Sequence, residues 1–454
     1  MKNILGRQDL PFGGMSIVYS GDFHQLRPVN CEKEGILYAG ILNGIFEGRI
    51  NVAIILENSH RFDEDPEYGA CMKRLWKGDW TEMDIDYINT REVGKNGLSL
   101  PDIDLDSDIT YGCPFNKQRN ATSAGIFQAH LSGTDFPSVN SRELPPTHTL
   151  IVEADIQSST SSNKRSGTTK VNQEICDRIR NTCGDSHCVA GKSKKVDPCL
   201  RLYIGAHVMC NDNSQLKTEN VGNGTLGRVK EVKLKIGAPP PSWKNWDGKK
   251  VNTISARYIE HIILERFPYA KDIVALKSSI QGLEQNILLM LAGSKEQEAI
   301  ELRKLDAKIA KMNQLLNEKK AKRCFKLSPK SSSCNVKVKL DDFPSSEVEY
   351  HSVNIFQLPI NMNDATTGHK LQGMSKDNLI VTSWTFVENW IYVMLSRVRT
   401  LKGLYLLKPI PKNQMDKFQV SRDLQAFECR MRVLQDSVLN ARKINMAALT
   451  NNNI

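Results

Sequence analysis

The sequence has no long hydrophobic run and no mark of an exported protein. No apolar stretch among its 454 residues approaches the roughly 20 residues that a membrane-spanning helix needs. The first 14 residues lack the apolar core of a signal peptide. With 40% hydrophobic and 25% charged residues, the composition is ordinary for a globular chain long enough for two or three domains. We therefore expect a cytosolic or nuclear protein with no membrane partner.

The eleven cysteines include no Cys-x-x-Cys pair. Cys176, Cys183, Cys188 and Cys199, with His187 among them, are separated by six, four and ten residues. Zinc sites usually contain closer pairs. We interpret these cysteines as scattered free thiols and expect no metal site, with a zinc site as the alternative.

Positive charge exceeds negative charge only moderately. The 61 Lys and Arg residues outnumber the 51 Asp and Glu residues, for a net charge of +10. This balance is compatible with a polyanionic partner, yet many proteins as basic as this one bind no nucleic acid. The function must therefore be inferred from motifs.

The densest pattern lies at residues 365–407. A polar run with glycine precedes an apolar run at 378–382, a helix-like segment at 391–399 and another apolar run at 403–407. This alternation of loop, strand, helix and strand predicts an α/β sheet. Backbone amides of Gly and Thr suit phosphate contacts, and Arg397 at a helix end suits a transferring phosphoryl group.

A second pattern lies near the start of the chain. The apolar run 15–20 predicts a buried strand, and Gly-Asp-Phe-His-Gln-Leu-Arg-Pro-Val follows it at 21–29. The amide of Gln25, on a loop after a buried strand, can contact a γ-phosphate. The alternative is a polar turn closed by Pro28.

Together these patterns resemble motifs of superfamily-one DNA helicases, specifically the Pif helicases and their Helitron-transposon relatives. The family motif Thr-x-His-Lys-x-Gln-Gly is matched at 367–373, and Tyr-Val-x-Leu-Ser-Arg is matched at 392–397. The motif Gly-Asp-x-x-Gln-Leu-x-Pro-Val is matched at 21–29. Gly368 and Leu371 depart from the commoner Ile and Ser of the family.

The resemblance implies an enzyme that binds ATP and Mg²⁺ between two RecA-like domains and moves 5′–3′ along single-stranded DNA. Three residues with implied catalytic roles are Gln25, Arg61 and Arg397. The implied nucleotide contacts are Gly21, Asp22, Gln25, Arg61, Gln372, Gly373 and Arg397. The implied DNA contacts are Asn116, Arg119, Asn120, Thr366, Thr367, His369 and Lys370. A surface Arg is the alternative for Arg61, where Ser-His-Arg-Phe replaces the commoner Phe-Arg-Gln, and an Asn helix cap is the alternative at 116–120.

The implied fold class is α/β, with an incomplete first RecA-like domain and a second one that carries insertions. Residues 1–105 form the C-terminal part of the first domain, including helices predicted between Asp65 and Arg91. The remaining boundaries are 106–199 for the start of the second domain, 200–235 for a small SH3-like β-barrel, 236–345 for a second insertion, 346–410 for the rest of the second domain, and 411–454 for a C-terminal helix and tail.

The second insertion has its own periodicity. Apolar residues recur every three or four positions from Ile273 to Met290 and again from Ala299 to Leu316, with a turn at 292–294. This predicts an antiparallel helical hairpin at about 272–322. Its lysine-rich face contacts a DNA backbone or, as is commoner, is only solvated; its lysines are Lys304, Lys308, Lys311, Lys319, Lys320 and Lys322.

Two motifs that the family requires are absent from the 454 residues. There is no Gly-x-x-x-x-Gly-Lys-Ser/Thr loop and no Asp-Glu pair before Phe12, and we expect both to lie upstream of Met1. We therefore expect a truncated helicase that retains neither ATP nor Mg²⁺ by itself, because these motifs hold the phosphates and the metal. The alternatives are a non-catalytic, DNA-binding remnant of a transposon-derived helicase, or an unrelated α/β protein.

The biological setting stays open. Telomere maintenance, DNA repair, recombination, replication and transposition all use enzymes of this kind, and no motif chooses among them. We expect a nuclear location from the DNA substrate, with a mitochondrial one as the alternative.

Overall fold

A computed structural model describes most of the chain. The described residues are 11–26, 52–56, 60–100, 109–132, 149–158, 173–181, 188–190, 194–215, 217, 220–246, 248–266, 269–291, 298–339, 348–413 and 420–451. Three sequence features fall outside them: the turn at Pro28, the segment with Cys183 and His187, and the turn at 292–294.

The helices and strands are numbered in chain order. The helices are α1 (Pro66–Lys77), α2 (Glu82–Asn89), α3 (Asn116–Ser132), α4 (Gln173–Asn181), α5 (Tyr269–Leu291), α6 (Glu298–Ala321), α7 (Gly368–Leu371), α8 (Trp390–Leu395) and α9 (Arg422–Asn451). The strands are β1 (Ile109–Cys113), β2 (Thr149–Glu153), β3 (Asp155–Ser158), β4 (Cys188–Ala190), β5 (Lys194–Lys195), β6 (Cys199–Tyr203), β7 (His207–Cys210), β8 (Leu226–Leu234), β9 (Ser242–Trp246), β10 (Lys249–Ser255), β11 (Ile259–Arg266), β12 (Cys324–Leu327), β13 (Lys330–Lys339), β14 (Val348–Gln357), β15 (Ile360–Met362), β16 (Ala365–Thr367), β17 (Asn378–Val381) and β18 (Leu404–Leu406).

The chain divides into two compact units. Unit 1 comprises residues 1–115 and 366–454, and unit 2 comprises residues 116–365. Unit 1 contains a sheet of order β16-β1-β17-β18 in which β1–β17 and β17–β18 pair in parallel. The predicted α/β character is therefore confirmed, with strands where the apolar runs at 378–382 and 403–407 predict them.

The helix α8 lies against this sheet at a glycine. A Cβ atom on Gly112 of β1 would lie 2.0 Å from the terminal methyl group of Met394 in α8. Only a residue without a side chain allows this approach. Met394 and its neighbours Val393 and Leu395 are fully buried, so α8 and the motif residues after it are fixed in the core of unit 1.

The helices predicted between Asp65 and Arg91 are also confirmed. Asp65 caps α1 by accepting a hydrogen bond from the amide of Tyr68, and Gly78 ends it with a left-handed φ of 80°. Thr81 and Asp84 form a capping box at the start of α2. The ends of α1 and α2 therefore follow from capping residues close by in the sequence.

The strand predicted at 15–20 is absent, and the apolar run 54–56, whose residues also favour a strand, does not form one. Both segments are irregular and carry exposed apolar side chains: Val18 is 91%, Ile54 79% and Leu56 89% accessible. A strand requires a neighbouring strand for its backbone groups, and no described strand pairs with either segment. The serine-rich run 328–333 has the composition of a polar linker, but it is a strand from residue 330, because β13 pairs with β14 from Lys330 to Lys339.

Unit 2 contains three sheets in its described residues. Their strand orders are β6-β2-β10-β9, β12-β11-β8-β7-β15 and β3-β14-β13-β4-β5. The chain bends between β6 and β7 at Gly205, whose φ of 92° a glycine adopts without strain. The antiparallel sheet around β7 and β8 begins in the segment 200–235 but takes β11 and β12 from the following segment.

The predicted helical hairpin is present as α5 and α6. Ile273, Ile280 and Leu316 are buried between the two helices, together with partly buried neighbours. This confirms the three- and four-residue apolar periodicity.

The described residues contain no group of three metal-binding side chains, and Cys176 and Cys199 are free and buried. No helix in the described part of the chain is sufficiently long and apolar to cross a membrane.

Candidate functional site

The loop at 21–26 is held together by hydrogen bonds to Asp22. The Asp22 carboxylate accepts hydrogen bonds from the amide of His24 at 2.9 Å and from Nε2 of Gln25 at 3.3 Å. The backbone carbonyl of Asp22 accepts from the amide of Gln25 at 3.3 Å. Gln25 is half-buried and its side-chain amide is already oriented by Asp22.

Asn389 joins this loop to α8. This residue precedes α8 with a left-handed φ of 63°, and its Nδ2 donates to the carbonyls of Phe23 at 3.1 Å and Gln25 at 3.3 Å. Leu26 is buried in the same core as Trp390. The described part of the first motif, residues 21–26, therefore contacts the start of α8, the helix that leads into the last motif.

The C-terminal helix α9 supports the loop from another side. His24 is 3% exposed, and its Nε2 lies 2.5 Å from a carboxylate oxygen of Glu428. The His24 ring packs on Trp76 with centroids 4.2 Å apart, and the Phe23 ring lies 4.7 Å from that of Phe427. The sequence predicts α9, but it gives no sign that the helix holds the Gln25 loop.

Arg61 lies at the C-terminal end of α8. It sits in a 3-10 turn, His60–Phe62, and its Nη1 donates to the carbonyl of Ser396 at 2.7 Å. The Tyr68 hydroxyl donates to the carbonyl of Leu395 at 2.7 Å, and burial raises the pKa of Tyr68 well above its usual value. Both donors satisfy carbonyls that a helix end leaves unpaired.

Arg397 is buried, with 2% of its surface exposed. Its Nε donates to the carbonyl of Val393 at 2.7 Å, and its Nη1 donates to the carbonyls of Leu371 at 3.3 Å and Met374 at 3.2 Å. Its Nη2 donates to the hydroxyl of Ser396 at 2.7 Å. The guanidinium thus ties the segment after α8 to the turn that follows α7.

Four charged or titratable groups share this region. Burial, and after it the positive charge of Arg61, lower the pKa of Arg397 to about 10. Burial, and after it the negative charge of Asp22, raise the pKa of Tyr392 to about 12. Among the described residues no carboxylate forms an ion pair with Arg397. The region is therefore a partly buried place where two cations repel each other.

The motif at 367–373 runs from β16 through α7. Thr366 is 2% exposed, and its hydroxyl has no hydrogen-bond partner among the described residues. His369 and Gly373 are exposed, and Lys370 and Gln372 are half-buried. Thr367 is half-buried at the start of α7, and Gly373 has a φ of 81°.

The glycine at 368 has a structural cause. A Cβ there would lie 2.8 Å from Nε1 of Trp390 and 3.1 Å from a methyl group of Leu26. The indole occupies the space that the commoner isoleucine of the family would need. Leu371, the second departure from the family motif, is fully buried in the same core.

A second group of predicted residues lies in unit 2. Asn116 and Arg119 are in the first turn of α3, followed by Asn120. Nε and Nη2 of Arg119 donate to Oδ1 of Asn120 at 3.1 and 2.7 Å, and Asn116 is exposed.

An open cavity of about 320 Å³ adjoins Arg61. Its lining residues are His60, Arg61, Asp63, Glu64, Ser375 and Arg399. The ring of His60 lies 3.3 Å from Asp63, and Arg399 lies 3.6 Å from Glu64. The cavity therefore carries both signs of charge. Its cations fit a phosphate group, but the described residues offer no cluster of carboxylates for Mg²⁺.

Solved structures with a similar fold include three of Pif1 helicases. Pif1 from Bacteroides bound to single-stranded DNA aligns with a TM-score of 0.50 and 17% identity, over 94% of this chain and 70% of that chain. Bacteroides Pif1 with ADP-AlF3 and single-stranded DNA gives 0.51 and 18%, over 95% and 70%. Candida albicans Pif1 gives 0.52 and 16%, over 95% and 72%.

Comparisons of sequence alone find nothing. No protein-family model matches the chain, and no curated protein matches it. The likeness is therefore one of structure, and it spans nearly the whole chain. This chain has the α/β fold of the Pif1 helicases.

Proposed function

We propose that this chain is part of an ATP-dependent, Pif-type DNA helicase that moves 5′–3′ along single-stranded DNA. The observation that carries the proposal is the meeting of Asp22, Arg61, Tyr392 and Arg397 within a Pif1-like fold. Solved Pif1 structures contain single-stranded DNA and ADP-AlF3. We infer single-stranded DNA as the partner, and ATP with Mg²⁺ as the cofactors of the intact enzyme.

The two arginines form a phosphate sensor. Their guanidinium groups repel each other in a region of low solvent access, and an anion placed beside them offsets that repulsion. Gln25, held by Asp22, Asn389 and the His24–Glu428 contact, approaches the same region from the loop at 21–26. Gly21, Gln372 and Gly373 complete the nucleotide contacts.

Arg397 also couples the nucleotide to the DNA. Its Nη1 donates to the carbonyl of Leu371, directly after Lys370, and to that of Met374, three residues further on. When Arg397 turns toward a γ-phosphate these bonds lengthen, and the end of α7 is released. The phosphate state thereby changes the segment that holds DNA.

The DNA contacts are mainly to the backbone. Thr366, Thr367, His369 and Lys370 supply them in unit 1, and Asn116, Arg119 and Asn120 supply them in unit 2. Contacts of this kind give binding that depends weakly on sequence and strongly on salt. Because Thr366 is buried, its contact requires a small opening of β16.

This chain does not hydrolyse ATP by itself. Its 454 residues contain no Gly-x-x-x-x-Gly-Lys-Ser/Thr loop, so the lysine and backbone cradle for the phosphates must come from elsewhere. The second candidate is a non-catalytic, DNA-binding remnant of a transposon-derived helicase, which the same missing loop favours. An in-frame loop in the genomic DNA upstream of Met1 would favour a truncated helicase, and its absence a remnant.

The remaining assignments follow the same proposal. Residues 1–105 belong to the first RecA-like domain, and residues 200–235, which include β7 and β8, form the SH3-like insertion. The location is nuclear, because the substrate is DNA.

Two measurements test the proposal. Fluorescence anisotropy with a labelled single strand is expected to show binding that weakens as salt increases, and affinity indifferent to salt would contradict it. DNA-stimulated ATP turnover is expected to be absent. Turnover that Arg397→Ala abolishes would show that the chain needs no phosphate loop.

A further inference from the structure

The α5–α6 hairpin leaves unit 2 where a tight turn would be expected. β11 ends at Arg266, β12 begins at Cys324, and the two strands pair in antiparallel fashion. The hairpin therefore replaces the turn of a β-hairpin. α6 alone has 24 residues, which is about 36 Å of helix. A long, regular surface thus projects from two paired strands.

One side of α6 is occupied by packing. Ile309, Met312 and Leu316 pack with Ile273 and Ile280 of α5. This contact accounts for the apolar residues of α6 and for the stability of the hairpin. It does not account for the charged residues on the adjacent side.

Exposed lysines recur on that adjacent side. The row, called the lysine line below, consists of Lys304, Lys308 and Lys311 of α6. Its members are four and three residues apart; at about 100° per residue they fall within about 60° of one another and span about 11 Å. Leu315, 43% exposed, follows one turn further along the same side. In the described part of the chain none of the three lysines has a carboxylate within ion-pair distance. Glu318, beside the line, accepts a hydrogen bond from Gln314 at 3.3 Å.

The lack of aromatic residues in the hairpin favours duplex DNA over a single strand as its ligand. Proteins that bind single strands combine positive charge with aromatic side chains on which bases stack. α6 contains no aromatic residue, and α5 contains only Tyr269, in its first turn. Point charges in a straight row instead match a stiff polyanion, and duplex DNA carries about one charge per 1.7 Å of its axis.

We propose that the lysine line binds the phosphate backbone of duplex DNA, independently of sequence. This surface is separate from the single-strand contacts proposed for residues 366–370. The inference rests on the proposed function only in assuming a DNA substrate. With it, the chain binds duplex DNA in addition to single-stranded DNA.

The test is a charge reversal with a matched control. The variant is Lys304→Glu, Lys308→Glu, Lys311→Glu. The control is Lys73→Glu, Lys402→Glu, Lys408→Glu, which changes the net charge equally at exposed positions of unit 1. Affinities for a blunt duplex and for a single strand of the same sequence are measured by anisotropy over a range of salt concentrations. Far-UV circular dichroism checks folding, and the corresponding Lys→Gln triple variant repeats the test without added negative charge.

The variant is expected to bind duplex at least about tenfold more weakly at low salt, and its slope of log K against log salt is expected to fall by about 2.7. The control is expected to keep duplex affinity within about twofold, and single-strand affinity is expected to change little in either protein. Equal losses in variant and control, equal losses for duplex and single strand, or unchanged duplex binding would each overturn the inference. Wild-type chain that binds duplex but no single strand would instead refute the proposed function and leave the lysine line standing.

Discussion

Arg397 offers the sharpest test of how the candidate site is built. The substitution Arg397→Met keeps most of the volume and removes the guanidinium with its four donated hydrogen bonds, to Val393, Leu371, Met374 and Ser396. Each buried acceptor left without a donor costs about 1–3 kcal/mol. Removing a buried, unpaired charge returns part of that cost.

The Leu371 carbonyl keeps a hydrogen bond from the amide of Met374, and the Val393 carbonyl keeps one from the Ser396 hydroxyl, so among the described backbone acceptors only the Met374 carbonyl is left without a donor. We therefore expect Arg397→Met to lower the free energy of unfolding by about 1–3 kcal/mol. Urea unfolding followed by tryptophan fluorescence reports mainly on unit 1, since Trp76, Trp80, Trp384 and Trp390 lie there and only Trp243 and Trp246 lie in unit 2.

Arg399→Met is the matched control for this measurement. Arg399 is exposed, and its ion pair with Glu64 at 3.6 Å is a surface contact, worth at most about 1 kcal/mol. If the two variants lose equal stability, Arg397 is not the buried link between the two motifs that its hydrogen bonds indicate.

Three further predictions address other parts of the chain. Gly368→Ala places a methyl group 2.8 Å from the indole nitrogen of Trp390 and is expected to lower the free energy of unfolding by about 1–3 kcal/mol. Gly282→Ala, within α5 and with open space around its Cβ, is the control and is expected to raise the free energy of unfolding by about 0.5–1 kcal/mol. Thermal unfolding compares the two variants, and equal effects would contradict the close packing of Gly368 on Trp390. Burial raises the pKa of Asp364 to about 6, above its value in the unfolded chain, so the free energy of unfolding is expected to fall as pH rises from about 4 to about 6. In Asp364→Asn that part of the pH dependence is expected to disappear, and an unchanged pH profile would show that Asp364 is not the group responsible. A double-mutant cycle of His24→Ala and Glu428→Ala is expected to give a coupling of about 1–3 kcal/mol, and additive effects would show that α9 does not hold the loop.

Local rules predict much of this fold. The Asp65 cap, the Gly78 end and the Thr81 capping box depend on residues within one or two helical turns of each other. The α5–α6 hairpin follows from the apolar period of three and four. In each case the information lies within a short segment, so a sequence suffices.

Long-range contacts explain what the sequence did not predict. The segments 15–20 and 54–56 look like strands, but a strand forms only where another strand pairs with it, and no described strand does so. Ser331 looks like part of a linker, yet β14 pairs with it. In such segments pairing across the chain overrides local preference.

The candidate site also has a part that the sequence predicts and a part that it does not. Its motif residues can be identified from sequence because their order and spacing resemble the Pif helicases. Their geometry cannot: Arg397 looks like an exposed finger but is 2% accessible, and Glu428 reaches His24 across 404 residues of sequence. A side chain's burial is set by distant elements that close over it.

The central claim is that the segment 366–370 holds single-stranded DNA. Hydrogen–deuterium exchange of the whole chain, with and without an oligothymidylate, tests it most directly. Slower exchange of the amides at 366–370 and at 116–120 on adding the oligonucleotide is the predicted result. Binding without any change of exchange at 366–370 would contradict the claim.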